Sequence, residues 1–500
     1  MIQHAPALII ILPLMAALIT LIIGLWRKGL CYPFVVATLS TCVLLSFVIL
    51  ETVIGQGTIT YKLGGWAPPW GIAYVIDYLN AFMLIIISFI SLVVAVYSKK
   101  SIEKDLPGKI AHFYTIFLLL VTGLLGILIT GDAFNLYVFF EVSSLAGYAL
   151  IAVGDKRAPL ASFNYVIMGT IGACFYLLGV GYLYISTGSL NMADLSELLP
   201  GLYGSRVVLG AFAFMMVGVA IKMAFFPLHK WLPDSYTHAP SAVSAFVAST
   251  MTKVGAYVMI RIMFTVFKPY FSIEILPASA ILGWLAVAAM LFGCIRAIAQ
   301  SDVKRMLSYI IIAEVGYIVM GVSVGNRMGF TGAVLHILND AFMMACLFMA
   351  VGAVEYKTGT RSLHNFSNLY KKMPLTMAAF TIGGLSIVGI PPTCGFFSKW
   401  YLVIGAINSQ NWIFAVALLV SSLLTAVIFF RILVRIYFGG SSENEPSNPR
   451  TLESSNPSFD EAPLSMLLPT GIMAIGVLTL GFFSGKIISS VIQFTVPGGF

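Results

Sequence analysis

Apolar runs of roughly 20 residues recur from one end of this 500-residue chain to the other, separated by short polar turns. A helix of that length crosses about 30 Å of hydrocarbon, and the runs lack the alternation of barrel strands. With 59% hydrophobic and 10% charged residues and a mean hydropathy of +0.96, the chain cannot present a water-soluble surface. The sequence therefore predicts an all-α integral membrane protein.

Polar boundaries between the runs predict about 14 transmembrane helices. The first run, from about Ala5 to Leu25, has no basic stretch before it and no small-residue cleavage site after it. We therefore expect a retained first helix instead of a removed signal peptide. The predicted starts lie near residues 5, 31, 76, 112, 132, 160, 207, 241, 276, 303, 330, 375, 411 and 463.

The basic residues of the loops indicate an orientation. With the N-terminus outside, the main clusters all fall on one side, which the positive-inside rule assigns to the cytoplasm. An even number of spans with both termini on the outer side of a cell (plasma) membrane follows. The formal charge of +8 does not indicate nucleic acid, because the cations are scattered over many loops. The clusters are Arg27-Lys28, Lys99 to Lys109, Lys156-Arg157, Lys304-Arg305, Lys357 to Lys372 and Arg431-Arg435.

Proline interrupts two of the predicted spans. Pro227 follows Lys222 in one of them, and Pro391-Pro392 precede Lys399 in the other. Proline breaks a helix, which is tolerable at membrane depth only where neighbours or water satisfy the freed backbone groups. Matching interruptions favour two inverted five-helix repeats, each with a broken helix, because five spans reverse the topology.

This pattern divides the chain into five segments. Residues 1–108 hold peripheral helices 1 to 3, residues 109–265 the first repeat and residues 266–440 the second, inverted repeat. Residues 441–462, rich in Ser, Asn, Pro and acids, predict a flexible cytoplasmic loop, and residues 463–500 hold the last helix and the tail. The tryptophan-containing stretch from Gln56 to Tyr74 predicts an outer-face loop at the membrane interface.

Four ionisable side chains lie inside predicted spans: Glu141, Lys222, Lys253 and Lys399. Each charge at the bilayer centre costs about 2.5 to 3.5 kcal/mol, so four unpaired charges would cost on the order of 10 kcal/mol. Snorkelling, or a Glu141–Lys222 pair that only locks two helices together, is the structural explanation. A lysine beside a movable carboxylate changes its proton affinity when that partner moves, as a proton relay requires. Three lysines and one glutamate favour the relay.

Five further ionisable residues are secondary relay candidates. His336 and Asp340 are four residues apart and share a helical face. Glu314 could pair with a base of another helix or with one on a neighbouring protein. His229 and His238 flank the first interruption, where bracing of the loop and proton capture at a channel mouth are both open.

No metal or cofactor is expected from the sequence. The six cysteines show no CxxC spacing, which argues against disulfides, zinc and iron–sulfur ligation. The six histidines are dispersed, and His229 and His238 have no third ligand near them in sequence. The chain is expected to be a transporter subunit with no redox or hydrolytic active site of its own, and its status as an enzyme is left open.

Around these charges the sequence resembles the antiporter-like subunits of an ion-pumping superfamily, over nearly the whole chain. The superfamily includes the D-type and part of the A-type polypeptides of Mrp-type Na+/H+ antiporters, the large antiporter-like subunits of respiratory complex I, and components of membrane-bound hydrogenases. The resemblance is carried by GDAFNLYVFFEVSSLAGYALIAVG, AIKMAFFPLHKWLPDSYTHAPSAVSAFVASTMTKVGAYVMIR and VKRMLSYIIIAEVGYIVMG.

The resemblance implies roles for the four buried charges. The family's glutamate of the fifth span corresponds to Glu141, and its partner lysine on the broken seventh span corresponds to Lys222. Lys253 and Lys399 match the central and exit lysines. Opening and closing of the Glu141–Lys222 pair would shift the proton affinity of Lys253 and drive release through Lys399.

One departure concerns the eleventh span. Many family members carry a lysine shortly after its histidine region, where this chain has Met343-Met344 beside Asp340. Whether His336 and Asp340 substitute for that lysine is left open by the sequence.

The resemblance implies a proton-translocating subunit of a multisubunit monovalent cation (Na+)/proton antiporter, because the sequence around Glu141 is most similar to the D-type polypeptide of Mrp antiporters. The alternative is a proton-pumping subunit of a redox complex, either complex I-like or a membrane-bound hydrogenase. In a third hypothesis, a membrane scaffold, the buried charges are inert pairs. The expected partners are other membrane subunits, protons, the lipid bilayer and, in the antiporter case, Na+.

Overall fold

The computed structural model describes residues 4–155, 157–439 and 460–498. Its N-terminal part contains a two-stranded antiparallel sheet, which is an addition to the predicted all-α fold. The exposed Trp66 and Trp70 lie between the two strands, in the stretch predicted as an interfacial loop. The elements of this part are α1 (Ala5–Trp26), α2 (Cys31–Gln56), β1 (Ile59–Lys62), β2 (Ala73–Ile76) and α3 (Tyr78–Asp105).

Two successive sets of helices with the same layout follow. Each set has three long helices, one short helix, a pair of helices separated by an interruption, and a final long helix. The first set is α4 (Ile110–Ile129), α5 (Ala133–Ala152), α6 (Ala158–Thr187), α7 (Met192–Leu198), α8 (Arg206–Lys222), α9 (Trp231–His238) and α10 (Ser241–Ile260). The second is α11 (Ala278–Ile298), α12 (Val303–Ser323), α13 (Arg327–Thr358), α14 (Leu369–Lys372), α15 (Pro374–Val388), α16 (Cys394–Asn408) and α17 (Trp412–Phe438).

Shorter elements complete the described chain. Two π-helical segments follow α10, at Arg261–Val266 and Tyr270–Ile275. Helices α18 (Leu464–Phe482) and α19 (Ser484–Ser490) come after the second set. Short 3-10 helices occupy Lys28–Leu30, Leu63–Gly65, Leu199–Leu202, Leu363–Phe366 and Ile492–Thr495.

Twelve helices in the described part of the chain are long and apolar enough to cross a membrane, which confirms the helical integral membrane fold. They begin within about three residues of the predicted starts. The two other predicted spans begin at α8 and α15, which have 17 and 15 residues and precede the interruptions. The total of 14 spans stays a prediction.

At both interruptions a side chain bonds a carbonyl group near the end of a helix. Close to the end of α8, the indole Nε1 of Trp231 donates to the Ile221 carbonyl at 3.0 Å. Close to the end of α15, Lys399 Nζ donates to the Ile387 carbonyl at 2.6 Å. Carbonyl groups in the last turn of a helix have no helical partner, so these bonds let each span stop inside the protein.

The second helix of each set begins with the same local arrangement. Asp132 caps α5 by accepting from the N–H three residues later, at 2.7 Å, and its backbone pairs with the segment after α6. Asp302 caps α12 in the same way, at 3.1 Å, and its backbone pairs with the segment after α13. Arg361 contacts both Asp302 and Asp155, which follows α5, so the two junctions lie at opposite ends of the molecule.

We call one end of the molecule the basic face, defined by Lys104, Asp155, His238, Asp302 and Arg361. Lys104 donates to the Tyr356 carbonyl at 2.6 Å, which joins the end of α3 to the end of α13. Arg431 donates to the Ile298 carbonyl at 2.8 Å, which joins α17 to the end of α11. The end that carries β1, β2 and the C-terminus of α10 is the opposite face. The assignment of the basic face to the cytoplasm stays a prediction.

Lys304 departs from the predicted loop cluster. Its ammonium is buried, donates to the Ala239 carbonyl at 2.6 Å and lies 3.8 Å from Glu355. Lysines that face inward and outward look alike in a count of loop cations, so the sequence could not separate them. The predicted loop at 441–462 lies outside the described residues except for 460–462, where Asp460 pairs with Lys357.

We expect cysteine labelling to place Lys371 and Trp70 on opposite sides of the membrane, because they lie at the basic and opposite faces. In a background with the native cysteines replaced by alanine, Lys371→Cys and Trp70→Cys should each react with a membrane-impermeant maleimide from one side only. Leu423→Cys, on the exposed flank of α17, is the control and should resist the reagent, because hydrocarbon excludes charge. Labelling of Lys371→Cys and Trp70→Cys from the same side would contradict the proposed topology.

Candidate functional site

The structure brings Glu141 and Lys222 together, as the sequence predicts. Lys222, the last residue of α8, has its Nζ 3.5 Å from Glu141 Oε1 on α5 and 2.6 Å from Ser144 Oγ. The lysine side chain is buried, whereas the Glu141 side chain is 28% exposed at the flank of the molecule. Unlike the Lys253–Asp340 and His336–Glu314 pairs described below, this pair therefore reaches the surface of the isolated chain.

Lys253 is paired with Asp340 in the centre of the molecule. Lys253 Nζ on α10 lies 2.6 Å from Asp340 Oδ2 on α13 and donates to the Ala248 carbonyl at 2.7 Å. Both side chains are fully buried. Asp340, a secondary candidate in the sequence, is thus the direct counter-charge of the central lysine.

Close packing brings α8 and α10 together between these two pairs. A Cβ on Gly255 would lie 2.7 Å from Met223 Cβ, so glycine permits this approach. Met223 follows Lys222 and Gly255 lies two residues after Lys253, and the two lysines therefore belong to neighbouring helices.

His336 and Glu314 form the next pair of the row. His336 Nε2 on α13 lies 3.0 Å from Glu314 Oε2 on α12, and His336 Nδ1 lies 2.9 Å from Ser398 Oγ on α16. His336 precedes Asp340 by one helical turn, so α13 carries one member of this pair and one member of the central pair. Glu314 thus pairs with a base of another helix of the same chain, which was one of the two alternatives.

Lys399 lies beyond His336, at the second interruption. Besides the Ile387 carbonyl, Lys399 Nζ contacts Ser422 Oγ at 3.2 Å and lies 4.5 Å from the centre of the Tyr317 ring. The ring of Tyr317 also packs nearly perpendicular to the imidazole of His336, with ring centres 5.4 Å apart. The stretch between Lys253 and Lys399 that the sequence left undetermined therefore contains Asp340, His336, Glu314, Ser398 and Tyr317.

Four residues of the site were not predicted from the sequence: Ser144, Tyr317, Ser398 and Ser422. Two of them carry a signal that could have been used, because Tyr317 lies three residues after Glu314 on one helical face, and Ser398 directly precedes Lys399. Ser422 is more than 20 residues from Lys399, and no local pattern connects the two.

The two candidate histidines of the first interruption lie in different surroundings. The ring of His229 is buried between Phe226 and Phe292, with ring centres 5.4 and 4.8 Å away. His238 lies at the basic face, where its Nδ1 is 2.9 Å from Asp155 Oδ2. Burial alone would raise the pKa of Asp155, but hydrogen bonds from His238 and Arg361 hold it below its ordinary value. The part of both histidines in a relay stays a prediction.

Pairing explains how the protein tolerates these charges. An isolated ion in a low-dielectric interior costs several kcal/mol, and a counter-charge at 2.6 to 3.5 Å offsets much of that cost. Of the residues that the structure describes, no group of three or more His, Cys, Asp or Glu is placed to hold a metal ion. The arrangement is a row of acids, bases and hydroxyl groups, which can hold and exchange protons. We call it the buried row, from Glu141 to Lys399.

The sequence is similar to two groups of membrane proteins. A family profile described as NADH:quinone oxidoreductase/Mrp antiporter, TM, matches residues 130–425, which include every candidate residue above. The NADH-quinone oxidoreductase subunit N of Desulforudis audaxviator is 46% identical over 499 residues, 99% of each chain. The D-type polypeptide of the Na+/H+ antiporter of Bacillus subtilis is 33% identical over 448 residues, 88% of this chain and 89% of its own.

The fold is similar to chains of two solved complexes. One chain of the Mrp complex from Dietzia sp. DQ12-45-1b superposes with a TM-score of 0.87 at 25% identity. One chain of the membrane-bound sulfane sulfur reductase, an archaeal respiratory membrane complex, gives the same TM-score at 31% identity. Both alignments cover 98% of this chain and 96% of the other, so the resemblance found in the sequence is confirmed.

We expect removal of one member of the central pair to destabilise the protein more than removal of both. Asp340→Asn leaves Lys253 buried without its counter-charge, a change that typically costs about 3 to 5 kcal/mol. The double variant Lys253→Met/Asp340→Asn should recover part of this loss, with a coupling of about 0.5 to 3 kcal/mol. Thermal unfolding of detergent-purified protein measures both, with the exposed Lys486→Met as a control that should not shift. Additive losses in the double variant would contradict the pairing.

Proposed function

Because the chain belongs to the NADH:quinone oxidoreductase/Mrp antiporter transmembrane family, we propose that it translocates protons along the buried row. It is an antiporter-like membrane subunit of the Mrp or complex I type. The observation that supports proton translocation is the succession of contacts Glu141–Lys222, Lys253–Asp340 and Glu314–His336, which ends at Lys399. Inert pairs that only lock helices need no such succession.

In this proposal Lys253 holds the proton that is moved. Asp340 stabilises the protonated lysine, and the charge of Lys222 on the neighbouring helix opposes it. When Lys222 is held by Glu141, its charge is offset and Lys253 retains its proton. When the Glu141–Lys222 pair opens, the uncompensated cation lowers the proton affinity of Lys253, and the proton leaves.

His336 carries the proton from the central pair toward Lys399. A neutral imidazole accepts a proton at one nitrogen and donates one from the other. Its two nitrogens lie beside Glu314 and Ser398, and Ser398 is adjacent to Lys399 in the chain. His336 and Asp340 thereby take the place that many family members give to a lysine on the eleventh span.

We also propose that residues 109–265 and 266–440 are inverted repeats. Their helices follow the same order, and the capped junctions at Asp132 and Asp302 lie at opposite ends of the molecule. Glu141 lies nine residues after Asp132, and Glu314 lies twelve residues after Asp302. Relative to the capping aspartate of its helix, each glutamate therefore lies at a similar depth, with a difference of about one helical turn. Residues 1–108 and 463–500 then flank the repeats.

Two driving reactions are candidates for the complex that contains this chain. A monovalent cation (Na+)/proton antiporter is supported by the relatives named as D-type polypeptides of Na+/H+ antiporters. A redox-driven proton pump is supported by the 46% identity over 99% of the chain to a component of NADH-quinone oxidoreductase. In either case the partners are other membrane subunits, and we place the basic face in the cytoplasm of a cell membrane, with both termini outside.

Replacement of any lysine of the buried row should strongly reduce driven proton transport. Lys253→Met and Lys399→Met each remove a proton-binding group, whereas Lys222→Met removes the cation that makes Lys253 release its proton. We expect Lys222→Met, Lys253→Met and Lys399→Met to lower transport at least tenfold in proteoliposomes that contain the assembled complex. Quenching of a pH-sensitive dye under the physiological driving reaction measures the rate.

Lys486→Met, on an exposed lysine of α19, is the matched control and should transport as the unaltered protein does. Co-purification of the partner subunits shows that each variant assembles. Unchanged transport by an assembled Lys222→Met or Lys253→Met variant would refute the relay.

Affinity purification of the native complex should distinguish the two driving reactions. Small membrane subunits alone, with proton movement driven by a Na+ gradient, are the outcome expected for an antiporter. Iron–sulfur or nickel subunits, with proton movement driven by an electron donor, are the outcome expected for a redox pump. Mass spectrometry identifies the subunits, and vesicle assays with each driver identify the reaction.

A further inference from the structure

A polar cavity enters the molecule from the opposite face and ends at Arg261. It has a volume of about 660 Å³ and is lined by Asp77, Thr265, Lys268 and Glu274 as well as Arg261. A smaller pocket of about 80 Å³ also borders Arg261 and is lined by Asn80 and Tyr257, among others. Polar access from the opposite face therefore comes close to α10, the helix that carries the central lysine.

The side chains of Asp77, Asn80 and Tyr257 hold Arg261 at the bottom of this cavity. Its Nη1 and Nη2 atoms donate to the two carboxylate oxygens of Asp77 at 2.6 and 2.5 Å, and its Nε donates to the Tyr257 hydroxyl at 2.9 Å. Nη2 also donates to Asn80 Oδ1. The Tyr257 hydroxyl in turn donates to the Leu128 carbonyl at 2.7 Å. A rigid, permanently charged group thus joins α10 to α3 and α4.

Tyr257 follows Lys253 on α10 after four residues, and Arg261, the first residue of the π-helical segment, follows Tyr257 after four more. The three residues therefore lie on one helical face. Lys253 points away from the other two, because its Nζ bonds the Ala248 carbonyl toward the start of the helix and pairs with Asp340. The backbone of Lys253 and that of Arg261 are about 12 Å apart along the helix axis. One tyrosine lies between the cavity floor and the ionisable centre of the buried row.

A direct path for protons along this helical face would let protons leak back through a proton pump. If Lys253 exchanged protons with the cavity, they would return through the chain without passing Lys399, and the gradient would be lost. The guanidinium of Arg261 opposes this, because it does not give up a proton and it closes the floor of the cavity. Its five N–H groups are all hydrogen-bonded to neighbouring side chains, so none is left to hold a chain of water that leads inward.

We propose that Arg261, positioned by Asp77 and Tyr257, is a non-titrating seal that closes the direct path from the opposite face to Lys253. The inference rests on the proposed function, since a seal is needed only if Lys253 carries protons. Arg261 is a positioning residue in this scheme and takes no part in the transfer of protons.

Passive proton leak tests the seal. Proteoliposomes that contain the assembled complex and a trapped pH dye are given a potassium diffusion potential with valinomycin, without a driving reaction. We expect Arg261→Gln, which is smaller and keeps only two of the five N–H groups, to leak at least tenfold faster than the unaltered complex.

The double variant Arg261→Gln/Lys253→Met identifies the path of the leak. If protons pass through Lys253, this variant should leak at the unaltered rate. A tight assembled Arg261→Gln variant, or a leak that persists in the double variant, would overturn the proposal. If Arg261→Gln does not assemble, Asp77→Asn and Tyr257→Phe carry the same test, since each loosens the guanidinium while the charge remains, and unaltered leak in both would overturn it.

The outcomes separate this inference from the relay itself. Failure of the relay shows as undiminished driven transport in Lys222→Met or Lys253→Met. Failure of the seal alone shows as loss of driven transport in those variants together with a tight Arg261→Gln complex.

Discussion

A charge inside a bilayer has to be neutralised by the protein that carries it, because hydrocarbon offers no partner. In this chain the requirement decides which helices meet. Lys253 on α10 needs Asp340 on α13, and Glu314 on α12 needs His336 on that same α13, so the two predicted repeats are joined through their most buried helices. Helices α1, α2 and α6 carry no charge of this row, and they turn exposed apolar flanks outward.

The interrupted spans are the second consequence of the same requirement. A continuous helix would use all its carbonyl groups in its own ladder, whereas the end of α15 leaves the Ile387 carbonyl to hold Lys399. At the end of α8, the indole of Trp231 bonds the carbonyl beside Lys222, and the lysine itself remains free to turn to Glu141 and Ser144. Each interruption thus places a lysine and a set of oxygen acceptors at the same depth.

The sequence predicts much of this arrangement, since a charge inside an apolar run is visible without any structure. Glu141 and Lys222 are 81 residues apart, and the resemblance to known antiporter-like proteins predicts that they pair. The pairing of Lys253 with Asp340 and the contact of Tyr317 with Lys399 depend on how distant helices rotate against one another, which hydropathy does not encode. The hairpin of β1 and β2 has too few residues to stand out from a polar loop.

The exposure of Glu141 has a consequence for the chain in isolation. Its carboxylate lies on a flank of α5 where Val138 and Leu145 also face outward. The first charge of the row therefore lies at the outer surface of the chain. Lipid against this flank would leave half of an ion pair poorly solvated, whereas a polar neighbouring helix would complete it. The neighbouring helix therefore influences how strongly Glu141 holds Lys222. In this way, a single contact at α5 links assembly of the complex to the activity of the row.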